Sequence, residues 1–113
     1  MSRYMQIDIR VVPFFEKPFE KSFPNLVNCL RQLSYNDLVE KDPCLYHLTD
    51  HLVMIAESPN TPADIKERLR PYVVKLEPLK EQAREFLLSR HLNELDRLLY
   101  RMEDVFEDLE GAL

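Results

Sequence analysis

The sequence predicts an all-α protein, a four-helix-bundle-like domain with an extended N-terminal arm that has the pattern of a β-strand. Three features support this prediction. Apolar residues of the C-terminal third alternate at intervals of four and three, earlier stretches also place apolar residues at helical spacing, and prolines separate these stretches. A chain of 113 residues suffices for one domain with a single core. We expect an arm and a Pro/Phe-rich lid at residues 1–23 and the helical bundle at residues 24–113.

The predicted arm has the alternation of a half-buried strand. Its apolar residues are separated by single polar residues and are Met5, Ile7, Ile9 and Val11. No second strand is evident in the sequence, and an isolated strand leaves its backbone groups unpaired. Three arrangements are therefore open. The arm pairs with its copy in a homodimer, adds to the sheet of a partner, or lies extended in a groove of its own bundle.

The segment from Pro13 to Pro24 contains three prolines and four phenylalanines. This density of proline opposes both helix and central strand. The segment is interpreted as an irregular lid whose phenylalanines cover one end of the core. An aromatic binding surface is the alternative.

Proline and capping residues predict the first helix boundaries. Helix one begins near Pro24, and the capping-box pattern at residues 34–37 predicts a break and a restart. Helix two begins at Asp42-Pro43 and ends before Pro59. Helix three begins at residues 60–62 with Thr61 as its N-cap.

The last part of the chain predicts a long helix that organises the bundle. Pro71 is expected to kink or divide helix three, and Pro78 to lie in the first turn of a helix from about Leu79 to Glu110. His91 is expected beside the apolar seam of that helix. The seam itself is Leu88, Leu92, Leu95, Leu99, Met102, Phe106 and Leu109.

Composition excludes several classes of function. One glycine in the whole chain excludes phosphate-cradling loops, dinucleotide fingerprints and nucleophile elbows. A net charge of −5 and a pI near 5.2 argue against a nucleic-acid partner. The first residues lack signal-peptide regions, and no apolar run has membrane-spanning length, so no membrane association and a cytoplasmic location are expected. The two cysteines are then expected as reduced thiols.

Helix two carries the residues most suggestive of chemistry. Cys44, His47 and His51 fall at i, i+3 and i+7, which places a thiol and two imidazoles on one helix face. Such a set can hold a transition metal, with Asp50 beside it. The alternative, which we favour, places the histidines on the helix rim and treats Cys44 as a small apolar residue, with no cofactor.

The C-terminal end gathers acids where the helix dipole is already negative. Four of them are proposed as contacts for a basic partner surface, namely Glu103, Asp104, Glu107 and Asp108. They form like-charge i, i+4 pairs, which a helix built only for stability avoids. An acidic end that serves solubility is the alternative.

These features favour a small cytoplasmic protein, not an enzyme, that acts by contact with a partner protein or with its own copy in a homodimer. Adaptors, regulators and inhibitor- or immunity-type subunits belong to this class. The competing hypothesis is a metal-binding helical sensor or enzyme that uses Cys44, His47 and His51.

Overall fold

A computed structural model describes residues 3–113, and the all-α class is confirmed. The first two residues of the predicted arm lie outside the described part. Within the described part there is no β-strand. Its helices are α1 (Phe19–Ser22), α2 (Pro24–Gln32), α3 (Asn36–Glu40), α4 (Leu45–Glu57), α5 (Ala63–Leu88) and α6 (Leu92–Ala112).

The bundle is built around α5, which packs against both α4 and α6. α2 and α4 also contact α6, while the short α1 and α3 precede and follow α2 and pack against it. The spacing of apolar residues in each helix directs one face inward, as amphipathic helices require. The largest fully buried side chains come from five helices and are Phe19, Phe106, Leu26, Leu30, Leu48, Leu52, Ile55, Leu69, Leu76, Met102, Leu109 and Val27.

The prediction that Pro78 lies in the first turn of a separate last helix is wrong, and Pro71 does not divide the helix before it. α5 runs without interruption through Pro71 and Pro78. Both prolines are exposed, and the carbonyls that they leave without a donor belong to Glu67 and Val74, which are exposed as well. Water can therefore satisfy those carbonyls, so neither proline requires the helix to end.

The break falls instead at Ser89–His91, inside the predicted long last helix. Arg90 has a left-handed backbone with φ of 61°. Its N–H donates to the Leu87 carbonyl at 3.2 Å, and the His91 N–H donates to the Phe86 carbonyl at 2.9 Å, which together form a Schellman motif. His91 becomes the N-cap of α6 and does not flank a seam. Leu88, predicted as the first seam residue, is 70% exposed.

α2 also ends in a Schellman motif. Ser34 has φ of 68°, its N–H donates to the Arg31 carbonyl at 3.0 Å, and the Tyr35 N–H donates to the Leu30 carbonyl at 2.9 Å. Glycine normally occupies this left-handed position, because it lacks the Cβ that makes the conformation costly. Since the single glycine of the chain is Gly111, polar residues close both helices here.

Two predicted capping residues serve neighbouring helices. Thr61 does not cap α5, whose N-cap is Pro62; its buried hydroxyl donates to the Ile55 carbonyl near the end of α4 at 2.7 Å. Helix two does not begin at Asp42-Pro43, because α4 starts at Leu45. The Asp42 carboxylate accepts a hydrogen bond from the N–H of Phe19, the first residue of α1.

The lid is part of the core. Phe15, Phe19 and Phe23 stack in sequence at centroid distances of 5.8 and 5.5 Å, and Phe23 meets Phe106 of α6 edge-on at 6.4 Å. Phe19 and Phe23 are buried, whereas Phe14 is exposed. The stack also contains the helical turn α1, which the proline density did not predict.

The arm lies extended over its own bundle along part of its length. Ile9 is half-buried, and Val11 and Phe15 pack against the core. Met5 and Ile7 are exposed. Of the four alternating apolar residues predicted from the sequence, only Ile9 and Val11 are therefore partly buried.

Candidate functional site

The candidate site is a cavity of about 380 Å³ between the arm, the start of α4 and the middle of α6. We call it the arm groove. The arm contributes residues 11–15, the α1–α2 corner contributes Ser22 and Phe23, and residues 44–46 come from the start of α4. From α6 the groove is lined by Leu99, Met102, Glu103 and Glu107.

Helix geometry explains the α6 side of the groove. Leu99, Glu103 and Glu107 follow one another at i, i+4 and i+8, so they form one stripe along the helix, with Met102 beside it. Met102 is buried, Leu99 is half-buried and the two glutamates are exposed. The groove therefore has an apolar floor and an edge of carboxylates.

The charge of this edge is not neutralised within the described chain. Neither Glu103 nor Glu107 forms an ion pair with another residue of 3–113, and no lysine or arginine lines the groove. Partial burial raises the pKa of Glu103, and the carboxylates of Glu107, Asp104 and Asp96 raise it further. The charges that raise the pKa of Glu103 thus belong to three neighbouring carboxylates of α6.

The start of α4 is the opposing electrostatic feature. The N-cap, Cys44, makes no side-chain capping bond, and Cys44, Leu45 and Tyr46 at this helix N-terminus line the groove. A helix N-terminus is equivalent to roughly half a positive charge. Two full carboxylates outweigh it, and the groove as a whole is negative.

The proposed metal ligands are not assembled into one site. Cys44 lines the arm groove, whereas His47 lines a separate cavity between α4 and α5. Cys44 precedes the helix with ψ of 127°, so the helical spacing that relates it to His47 and His51 does not apply. Across residues 3–113, no three His, Cys, Asp or Glu side chains come together as a metal-binding group. Metal binding by this trio stays a prediction.

Asp50, expected beside a metal, pairs with α5. Its carboxylate forms an ion pair with Lys80, whose side chain is only 13% exposed. The Lys80 ammonium also lies 4.8 Å from the centroid of the Tyr46 ring. Asp50 therefore helps to join α4 to α5.

The predicted contact residues fall into three groups. Val11, Glu103 and Glu107 meet at the arm groove. Asp104 and Asp108 are exposed on α6 and do not line the groove. Of the remaining arm residues, Met5 and Ile7 are exposed and Ile9 is half-buried, all outside the groove lining.

Sequence reasoning missed two parts of this region. Leu99 lines the groove, although it had the spacing of a core residue, whereas Phe14 and Phe15, which also line it, belong to the segment for which an aromatic binding surface is the alternative interpretation. Glu110 has an internal role: its carboxylate accepts hydrogen bonds from the N–H groups of Asn25, at 2.5 and 3.0 Å, and Leu26, at 3.3 and 3.4 Å. The missed signal for Glu110 is that α2 begins at Pro24 without a capping side chain of its own.

The fold and the arm groove define a small helical domain with a groove that has an apolar floor and an acidic edge. No family model, curated protein or solved structure matches the chain. None of the helices in residues 3–113 has the length and hydropathy needed to cross a membrane.

Proposed function

We propose that this chain is a cytoplasmic protein-interaction module, an adaptor, regulator or inhibitor-type subunit, that holds a partner protein or its own copy in the arm groove. The observation that carries this proposal is the meeting of Val11, Glu103 and Glu107 in one cavity. Sequence patterns at opposite ends of the chain marked these residues as contact residues independently. One residue of the arm pattern and two of the acidic pattern thus line the same groove.

The composition of the groove supports a contact role. Protein interfaces combine an apolar core rich in aromatic residues and methionine with a polar rim. The arm groove has this arrangement, since Phe15, Phe23 and Met102 lie within it and Glu103 and Glu107 edge it. Cys29 and Cys44 are both free thiols, which agrees with the reducing location that we propose.

The arm is held against the bundle mainly by side chains, so its position can adjust to a partner. Within the described chain, no backbone–backbone hydrogen bond ties residues 6–17 to the helices. The inward side chains of Val11 and Phe15 hold this segment against the core. A segment attached mainly by side chains can shift to fit a partner at small cost in free energy.

Photo-cross-linking in the native host tests the proposal. A photoreactive amino acid replaces Val12, which lines the groove and is 63% exposed. The matched control replaces Val74 on α5, which is 64% exposed and lines neither cavity. We expect a discrete cross-linked partner, or a cross-linked dimer, from position 12 alone. Equal products from both positions, or no product from position 12, would contradict the proposal.

A further inference from the structure

The size and floor of the arm groove limit what can occupy it. Its volume of about 380 Å³ is at the lower end of the range of ligand pockets, ~300–1,000 Å³. Such a volume accommodates a few side chains. The floor is apolar, with Phe23, Leu99 and Met102 along it, so the side chains that fill it must themselves be apolar.

The edge of the groove adds a second requirement. Glu103 and Glu107 lie one helical turn apart beside the apolar floor, and among the described residues no lysine or arginine lines the groove. An acidic or phosphate-bearing occupant would meet two carboxylates and would be repelled. A lysine or arginine next to apolar side chains would neutralise the edge while its neighbours fill the floor.

Within residues 3–113, no ion pair supplies this cation to Glu103 or Glu107. Arg10, in the arm, forms an ion pair with Asp8 at 3.2 Å. Arg31, on α2, forms an ion pair with Glu20 of α1. The charge of Glu103 and Glu107 is therefore available to a partner.

We infer that the arm groove binds a basic amphipathic peptide segment of a partner protein, in which apolar side chains occupy the floor and an adjacent lysine or arginine pairs with Glu103 and Glu107. This inference rests on the proposed function and names the chemistry of the partner segment. Complementary charge at the rim steers association and selects among partners. The quantity to measure is therefore the difference in affinity between a basic and an acidic peptide.

Two synthetic peptides provide the probe. They share length and leucine positions on an amphipathic helix, and their polar positions carry lysine in one and glutamate in the other. Fluorescence anisotropy with the full chain should show the leucine/lysine peptide binding at least tenfold more tightly. The double variant Glu103→Gln/Glu107→Gln should weaken that binding by about tenfold, which corresponds to ~1.4 kcal/mol.

The matched control is the double variant Glu77→Gln/Glu81→Gln. These glutamates are also exposed, also one turn apart, and line the other cavity. The control variant should bind the leucine/lysine peptide as the unmodified chain does. Thermal unfolding checks that both variants fold. We expect that they do, because the first loses a like-charge pair and the second loses only the exposed ion pair of Glu81 with Arg84.

Three results would overturn the inference. They are equal weakening by the two double variants, equal affinity for the two peptides, and no measurable binding of the leucine/lysine peptide at its solubility limit. The first would mean that only net charge attracts the peptide.

Failure of the inference is distinguishable from failure of the proposed function. If Glu103→Gln/Glu107→Gln leaves the cross-link from position 12 intact, the contact role of the groove stands. The inference that the partner segment carries a lysine or arginine is then wrong.

Discussion

Glu110 shows how one side chain can be unfavourable in its own helix and favourable in the fold. It lies near the C-terminus of α6, where the helix dipole opposes a negative charge. Its carboxylate reaches the N-terminus of α2 and accepts hydrogen bonds from two amide groups there. The Asn25 side chain returns a hydrogen bond to the Glu110 backbone carbonyl at 3.2 Å. The two helix ends thus stabilise one another.

Glu110→Ala should therefore lower the free energy of unfolding by about 1 kcal/mol, the usual loss when a helix cap is removed. For a chain of this size the melting temperature should fall by about 4 °C. Thermal unfolding followed by circular dichroism measures the change.

Asp108→Ala is the matched control for that substitution. Asp108 is exposed, lies in the same acidic end of α6, and is not part of the α2 cap. Its removal should leave stability unchanged or raise it by a few tenths of a kcal/mol. Equal destabilisation by both variants would contradict the capping role of Glu110, because removing a negative charge at this helix end should not by itself destabilise the fold.

Residue-scale patterns predict best where the cause is local. The inward positions of α2 and α4, such as Leu26, Leu30 and Leu52, follow from apolar spacing within one helix and are buried as expected. The roles of Glu110 and Asp42 depend on residues far along the chain. Their partners, Asn25 and Phe19, give no local sign of the pairing.

At the scale of elements, the helix ends depart most from the prediction. Proline is a strong signal for a helix end, yet both prolines of α5 are accommodated on its exposed side. The true end depends on a left-handed Arg90, a residue type that carries no such signal. Helix boundaries in a chain nearly without glycine are therefore poorly marked in its sequence.

Arg90→Gly should raise the free energy of unfolding by about 0.5–1 kcal/mol. Glycine adopts φ of 61° without the steric cost of a Cβ, and this gain exceeds the added freedom of the unfolded chain. Urea denaturation measures the effect. The control Arg90→Ala removes the same exposed side chain but keeps the Cβ, so it should give no gain. A gain from both variants would place the effect in the arginine side chain.

At the scale of the whole molecule, the candidate site is a product of tertiary packing. The arm, the start of α4 and the middle of α6 meet although they are far apart in sequence. The charge of Glu103 and Glu107 was visible in the sequence, and so was the alternation that ends at Val11. Their meeting over Phe23 and Met102 was not visible, because no local pattern encodes which helix the arm covers.

The arm provides the test of this whole-molecule arrangement. Deleting residues 1–12 removes Val11 and Val12 from the groove wall and leaves the Phe15–Phe19–Phe23 stack in place. Helix content measured by circular dichroism should stay nearly constant, because all helices begin at or after Phe19. A cross-link from a photoreactive residue at Leu99 should fall severalfold, since a partner loses one apolar wall of its site.

A shorter deletion separates the two halves of the arm. Removal of residues 1–8 takes away the exposed Met5 and Ile7 but keeps the groove lining. If the groove is the contact site, this variant should cross-link from Leu99 as the full chain does. If the shorter deletion already abolishes the cross-link, or converts a dimer to a monomer in native mass spectrometry, the contact depends on the exposed half and strand pairing becomes the better explanation. Full cross-linking after removal of residues 1–12 would contradict any role of the arm in partner capture.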